Sequence, residues 1–237
     1  MYYENIMLVI SSRGEFYDKF IKYYWIPFIN FVEKKNNNKL KIILIFNIID
    51  LDDLNIPNNN FLKFKNIENF IPGILQKTID AFEYINKNYK YNKILRTNLS
   101  SFFIYENLIA KLKFLDNNNL YHGVIGDYKT QPFISGALFT ISKDVVEFII
   151  NNKNNLNYNL IDDVAIGYLL TDFKKLNGYR YNILNNTELP DISNLNKFVN
   201  DIEKYKSYHV RIYNNNQNFR STIDIEIIKF LVNKYYL

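Results

Sequence analysis

Apolar residues fall along this chain in short punctuated runs, with two alternating spacings. Runs of four to eight apolar residues between turn formers read as buried strands, and apolar residues three or four apart read as amphipathic helices. Ile6–Ile10 is the first run, broken by Ser11-Ser12-Arg13-Gly14. A helix is expected from about Phe16 to Lys35, carrying Phe20, Tyr24, Phe28 and Phe31 on one face. Leu40–Ile49 predicts a second strand, ended by Asp50-Leu51-Asp52-Asp53, and Phe61–Lys65 a short third. Ile74–Asn88 reads as a helix, with Ile74, Thr78, Ala81, Phe82 and Ile85 on one face and Pro72-Gly73 just before it.

Lys93-Ile94-Leu95 then reads as a buried strand, followed at once by the polar cluster Arg96-Thr97-Asn98-Leu99-Ser100-Ser101. Beyond it come a helix over Tyr105–Leu115, a strand over Tyr121–Ile125, and a strand over Pro132–Ile141 interrupted by Ser135-Gly136-Ala137. Ser142 is expected to cap a helix over Lys143–Asn151, with Asp144 in its first turn. Asp162–Lys174 predicts a helix with Ile166, Leu169 and Leu170 inward; Tyr179–Leu184 and Tyr208–Ile212 predict late strands, and Ile223–Tyr235 a closing helix. Strands alternating with helices favour an α/β sandwich around a mostly parallel sheet. With 237 residues and no internal repeat or linker, one domain over 1–237 is expected.

Composition narrows this picture without redirecting it. Hydrophobic residues at 48% exclude a disordered chain. The excess of Asn, Lys, Ile and Tyr is that of an AT-rich genome and says little about function. A net charge of +5 suits an anionic ligand, yet the densest basic runs (Lys34-Lys35, Lys174-Lys175) are two residues long. Nucleic-acid binders carry a basic stripe or a known module, so nucleic acid is not an expected partner. With no Cys, the chain has no disulfides, thiolate metal sites or Cys nucleophiles. No apolar segment approaches the length of a membrane span, and a soluble cytoplasmic protein is expected, in the host cytoplasm if the source is a large DNA virus.

The chemistry can be bounded by elimination. The chain has neither GxGxxG nor a GxxxxGK phosphate loop, and no GxSxG elbow. Two histidines, His122 and His209, exclude a multi-histidine metal site. The Arg96–Ser101 cluster lies at a strand exit, where open α/β sheets bind ligands. It offers one fixed cation, three hydroxyls and an amide, but no carboxylate; the plainer reading is that Ser100 or Ser101 caps the next helix. Asp50, Asp52 and Asp53 offer carboxylate oxygens for a divalent cation, or are solvated turn formers. Asp162-Asp163 open a helix, where acidic residues complement the dipole or supply a general base. His209 and Arg211, two apart, share one face of a strand and suit a pyrophosphate grip as well as a half-buried edge.

Taken in order, four stretches resemble the GT-A glycosyltransferases, especially the β-1,3-galactosyltransferase-like and fringe-like branch. Leu75-Gln76-Lys77-Thr78 resembles that branch's helix ahead of the metal strand. Lys93-Ile94-Leu95-Arg96-Thr97-Asn98-Leu99-Ser100 stands where the family has a strand ending in Asp-x-Asp. The stretch from Phe133 through Ser135, Gly136 and Ala137 to Ser142-Lys143-Asp144 resembles its small-residue acceptor loop, strand and Ser-Lys/Arg-Asp helix start. Asp162-Asp163-Val164-Ala165-Ile166-Gly167 resembles its Glu-Asp-Val-x-Val/Ile-Gly motif, whose second acidic residue is the catalytic base.

The resemblance implies a GT-A (Rossmann-like) fold and transfer of a sugar from a nucleotide-sugar donor, with UDP-sugar favoured, to a hydroxyl of a glycan or glycoprotein acceptor. Asp163 would be the base beside Asp162, and transfer would invert the anomeric centre. Ser11, Ser12, Arg13, Asp50, Lys77, Arg96, Thr97, Asn98, Ser100, His209 and Arg211 would line the nucleotide sugar, and Ser135 and Gly136 the acceptor side. The departure is at Asn98-Leu99-Ser100, which lacks the metal-binding carboxylates. The implied accounts are metal-independent catalysis with Arg96, Lys77, His209 or Arg211 neutralising the diphosphate, a Mn²⁺ or Mg²⁺ site supplied by Asp50 or Asp52, or an inactive carbohydrate-binding or scaffold domain. The first is favoured, because basic residues are at hand and Asp163 is intact.

Overall fold

The first strand, β1 (Asn5–Ile10), is buried at every position, as is β2 (Leu40–Asn47) apart from nothing more than trace exposure. Strands apolar on both faces are central strands of a parallel sheet covered on both sides. The computed structural model describes residues 1–35, 38–47, 54–128, 131–170, 176–179, 184–185, 192–213 and 220–237. These gather into two compact units: Met1–Ser12, Asn37–Asn98 and Leu115–Tyr181 form one, and Arg13–Asn36, Leu99–Phe114 and Asn182–Leu237 the other.

The first unit is a seven-stranded sheet in the order β3-β2-β1-β4-β7-β6-β8, adding β3 (Phe61–Phe64), β4 (Lys93–Asn98), β6 (Tyr121–Tyr128), β7 (Gln131–Ser142) and β8 (Leu176–Tyr179). Neighbours pair in parallel except around β7, which runs antiparallel to both β4 and β6. Six strands therefore point one way and β7 alone is reversed. The chain leaves β1 toward β2 and β3, then returns to lay β4 on the other side of β1. That reversal of winding makes the carboxyl ends of β1 and β4 a switch point, where open sheets place ligands.

Helices α3 (Gly73–Asn88), α5 (Lys143–Asn151) and α6 (Asp162–Leu170) share one core with the sheet. Ile6, Leu8 and Ile10 from β1, Ile43 and Ile45 from β2 and Ile94 from β4 meet Leu75, Ile79, Phe82 and Ile85 of α3 there. The period of two in the strands and of three to four in the helix delivers both sets to the same layer.

The second unit holds α1 (Glu15–Phe20), α2 (Ile26–Lys34), α4 (Tyr105–Lys113), α7 (Ile192–Lys204), α8 (Ile225–Tyr235) and a small sheet, β5-β10-β9, of Ser101–Phe103, His209–Tyr213 and Leu184–Asn185. The helix expected over Phe16–Lys35 is interrupted by a π-helical turn, Ile21–Trp25. Pro27, near the start of α2, has no N–H for the carbonyl four residues back, and its ring crowds that carbonyl, so the ladder widens just before it. Tyr24 and Trp25 from this turn pack with Phe28, Phe102, Phe103 and Tyr236. The Trp25 indole N–H donates to the Leu99 carbonyl at 3.0 Å, and the Phe103 N–H donates to the Tyr24 hydroxyl at 2.9 Å.

Several expectations change here. No serine caps α4: Ile104 occupies that position without a side-chain bond, and Ser101 opens β5. Ser142 stands at the N-cap position of α5, but its hydroxyl accepts the Leu120 N–H at 2.9 Å and caps nothing. Asn-rich α7 was not expected, although Leu195, Phe198, Val199 and Ile202 carry a helical spacing. The end of the second strand with Asp50, Asp52 and Asp53, residues 171–175 and residues 180–183 lie outside the described residues.

Phe82 is fully buried in the α3 layer of the core. Phe82→Ala is expected to cost about 3–5 kcal/mol through lost burial and a residual cavity. A lowered urea midpoint at unchanged slope checks this.

Candidate active site

Residues on alternate positions of β4 face the helical layer. Ile94 enters the core, and Arg96, two positions on and paired in register with Leu8, follows it on the same face. Its guanidinium is thereby carried into the interior at the carboxyl end of the sheet, with 4% of the residue exposed. A buried cation needs a partner, and Asp162 at the start of α6 supplies one: Nη2 lies 2.6 Å from Oδ2. Thr78 of α3 donates its hydroxyl to the same oxygen at 3.0 Å. The other terminal nitrogen of Arg96 donates to the Gly136 carbonyl. Its Nε has no acceptor among the described residues and almost no accessible surface.

Gly136 lies where the pairing of β7 with β6 is interrupted. Leu138–Ser142 pair with β4, Phe139–Ile141 pair with β6 on the other side, and the β6 pairing resumes at Gln131–Ile134 after a register shift between Gly123 and Ile125. The expected interruption at Ser135–Ala137 is this bulge, and the strand continues through it. Within the bulge the Gly136 carbonyl takes Arg96 while its N–H donates to Asp163 Oδ2 at 2.6 Å. The second Asp163 oxygen accepts the Val164 N–H at 2.9 Å. Next along, the Thr97 hydroxyl donates to the Ala137 carbonyl at 2.6 Å. A Cβ on Gly136 would stand 2.5 Å from Arg96 Nη1 and 3.1 Å from Asp163 Oδ2, so no side chain fits.

One residue therefore connects the two carboxylates: Arg96 holds Asp162 and the Gly136 carbonyl, and the Gly136 N–H holds Asp163. Burial raises the Asp163 carboxyl above its ordinary range, and the adjacent Asp162 charge raises it further. The Gly136 N–H, the Arg96 guanidinium and the Val164 N–H oppose that rise. The result is a more basic carboxylate, partnered by two backbone donors, whose oxygens retain lone pairs for a further hydrogen bond.

A second polar group closes the exit of β1. Lys77, on the inward face of α3 and fully buried, donates to the Ser11 carbonyl at 2.8 Å and lies 2.9 Å from Glu68 Oε2. Burial lowers the Lys77 pKa despite Glu68, which acts the other way. Ser12 donates its hydroxyl to Glu68 Oε1 at 2.7 Å, and Ser11 donates its own to the Val9 carbonyl at 2.9 Å. Asn98, half-buried, stands beside Ile10 in register at the end of β4, and half-buried Ser135 begins the β7 bulge.

The remaining expected residues belong to the second unit. Arg13 pairs with Asp18 at 2.8 Å, and Ser100 is buried, its carbonyl accepting the Ile212 N–H at 2.8 Å. His209 and Arg211 do lie two apart on β10. His209 is buried and stacked on Phe103, and burial, then the Arg211 charge, pushes its pKa down to about 3. Both causes favour the neutral imidazole. Arg96 and Lys77 likewise do not stand as unbalanced cations: Asp162 and Glu68 balance them.

The donor set does not fit a divalent cation at the end of β4. Asn98 and Ser100 bring an amide and a hydroxyl where such an ion wants charged oxygens. No three His, Cys, Asp or Glu among the described residues are grouped to hold a metal, and Asp50 and Asp52 lie outside those residues. Two members of the network were missed in the sequence, Glu68 and the bond from Thr78. Glu68 had a signal: a lysine on the inward face of a helix requires a carboxylate, and Glu68 is the acidic residue nearest before it in the chain. The Thr78 bond, to a residue far along the chain, had none.

With a folded pKa above the unfolded one, Asp163 contributes stability that is present at acid pH and lost as pH rises through the folded value. Asp163→Asn is therefore expected to raise the melting temperature at neutral pH. The difference should shrink as pH falls toward the unfolded Asp range near ~3.9. Gly136→Ala, in contrast, should destabilise at every pH by about 1–3 kcal/mol, because Arg96 and Asp163 must move; thermal melts of both variants across pH separate the two effects.

No protein-family model matches the chain, and no curated protein matches it significantly in sequence. Among solved structures, a glycosyltransferase involved in glycosylation of the major capsid of PBCV-1 superposes with a TM-score of 0.55 at 11% identity, over 94% of this chain and 99% of that one. GlyE of Streptococcus pneumoniae TIGR4 gives 0.45 at 12% identity, over 99% of this chain and 64% of that one. A mutant of Drosophila β-1,4-galactosyltransferase 7, complexed with manganese, UDP-Gal and xylobiose, gives 0.44 at 11%, over 76% and 66%. The last two fall below 0.5 and carry no weight here. Sheet order, the single reversed strand and the PBCV-1 superposition together make this a mixed α/β fold of the GT-A-like kind found in glycosyltransferases.

Proposed function

We propose that the chain is a glycosyltransferase that moves a sugar from a nucleotide-sugar donor to an acceptor hydroxyl, with Asp163 as general base. The observation that carries this reading is the Asp163 carboxylate, raised in basicity by burial and fixed by the Gly136 N–H at the bulge of the one reversed strand. A base serves only where it is ionised, oriented and within hydrogen-bond reach of the proton it takes.

In the proposed step the acceptor oxygen attacks the anomeric carbon as its proton passes to Asp163. The bond from that carbon to the donor's phosphate oxygen breaks, the nucleoside diphosphate leaves with the electron pair, and the configuration inverts. Ser12, Asn98 and Ser135, half-buried at the strand ends, are the proposed polar contacts to the donor and the acceptor side. Because the described donor set does not fit a divalent cation, no step is routed through one. Ser11, Lys77 and Thr97 act by shaping the strand exits rather than by touching ligand.

A second reading, an inactive GT-A-like domain retained for carbohydrate binding or as a scaffold, is favoured by one observation: Asn98-Leu99-Ser100 carries no carboxylate.

Incubation with a panel of nucleotide sugars and simple glycan acceptors separates the two readings. The first expects transfer that falls about 10²–10⁴-fold in Asp163→Asn. Full activity in that variant would remove Asp163 from the base role, and glycan binding without turnover in the native protein would favour the second reading. Thermal shifts with UDP, GDP, dTDP and CMP, with and without Mn²⁺, identify the nucleotide by mass action. An upward shift with UDP that Mn²⁺ leaves unchanged is expected.

A further inference from the structure

We propose that Arg96 is a positioning residue, which holds Asp162 directly and Asp163 by way of Gly136, and that it does not contact the donor's diphosphate. This rests on the reading of Asp163 as base and deepens it. The guanidinium is a planar fork with donors in fixed directions, and here two of them are committed to two different elements. Nη2 serves the Asp162 carboxylate at 2.6 Å at the start of α6, and Nη1 serves the Gly136 carbonyl in the bulge of β7.

The same Gly136 unit presents its N–H to Asp163 Oδ2 at 2.6 Å. The carbonyl and the N–H belong to successive peptide planes that meet at the Gly136 Cα, and glycine leaves the torsions between them free, so the bond from Arg96 to the carbonyl is what restrains the residue on that side. Arg96 is thus connected to Asp163 through one residue, and the missing Cβ at position 136 is what lets the guanidinium and the Asp163 carboxylate approach it together. A diphosphate, by comparison, needs a cation whose donors reach solvent, and the Arg96 side chain is 5% exposed with its charge already balanced.

Every charged or titratable group facing the pair works within this arrangement. Asp162 precedes Asp163 on α6 and raises its pKa, Arg96 on β4 lowers it, and Lys77 on α3 feels both Asp162 and Arg96. Tyr121 on β6 is fully buried, with its pKa raised by burial, so it stays a neutral phenol; its hydroxyl accepts the Ile134 N–H at 3.2 Å. β7 presents backbone at Gly136. Arg96 is the cation that restrains the rise of the Asp163 pKa, both by its own charge and by holding the Gly136 N–H in place. Removing it moves Asp163 toward the protonated form, which cannot accept the acceptor's proton.

Carboxyl ¹³C NMR of aspartate-labelled protein tests this without any ligand, the Asp163 resonance being assigned by its loss in Asp163→Asn. In Arg96→Gln the Asp163 midpoint should move upward. In Arg96→Lys it should move upward by less, since an ammonium keeps the charge but cannot span both Asp162 and Gly136 in the fork geometry. In the transfer assay both variants should lose kcat about 10–100-fold, with the acid limb of the pH profile displaced upward alongside the NMR midpoint. Affinity for UDP, measured by calorimetry, should stay within about twofold of native, as expected for a residue acting on the chemical step.

If Arg96→Gln does not fold, Arg96→Lys carries the test alone. An Asp163 midpoint that stays at its native value, or a loss of UDP affinity with kcat retained, overturns the proposal. Native protein with no transfer activity overturns the proposed function instead, and the carboxyl titration still decides the role of Arg96.

Discussion

An arginine and an aspartate removed from water at the junction of a sheet and two helices impose conditions on everything around them. The desolvation of such a pair is repaid only by close geometry and by further hydrogen bonds to each partner. Here those bonds come from Thr78 on α3 and Gly136 on β7, so the pair ties β4, β7, α3 and α6 at one point. Loss of either charge would strand the other in the interior, a cost on the order of 3–5 kcal/mol. The carboxyl end of this sheet is consequently stiff at the place where a reacting group has to be held still.

The topology supplies the parts in the required places. Five of the six remaining strands alongside β1 run with it, and their carboxyl ends bring Ser11, Ser12 and Asn98 to one edge. β7 alone arrives from the opposite direction, and the interruption of its pairing with β6 opens a bulge at that same edge. A bulge exposes peptide groups that a regular ladder would consume. Gly136 uses both of its peptide groups there, one toward each acidic neighbourhood. α6 begins within reach, so that consecutive residues Asp162 and Asp163 diverge, one to a guanidinium and one to a peptide N–H.

Much of this was legible in the residues. The order of strands and helices follows from period and punctuation, and the helical spacing of Ile74, Thr78, Ala81, Phe82 and Ile85 puts Thr78 on the inward face where it meets Asp162. Asp162-Asp163 was recognised as a charged helix start with two possible roles. What stayed hidden were long-range pairings. Arg96 read as an available cation because nothing local shows that Asp162, 66 positions on, returns beside it. Lys77 is a nearer case: its partner Glu68 is close in the chain but sits in a loop whose lack of periodicity gives it no assigned direction. The serine caps failed for a related reason: Ser142 is claimed by the N–H of Leu120, a strand neighbour, and tertiary demand overrode local preference. Pro27 was visible, but its effect, a wider turn rather than a break, depends on packing around Tyr24 and Trp25.

That wider turn leaves the protein with a spectroscopic asymmetry. Trp25 is the only tryptophan, it is fully buried among Tyr24, Phe28 and Phe103, and it belongs to the second unit. Its emission therefore reports on the packing around it in that unit, while melting of the seven-stranded sheet registers in far-ultraviolet dichroism. Coincidence of the two signals along a denaturation curve is the usual sign of all-or-none unfolding. In this molecule a single native chromophore is enough to ask whether the two units come apart as one.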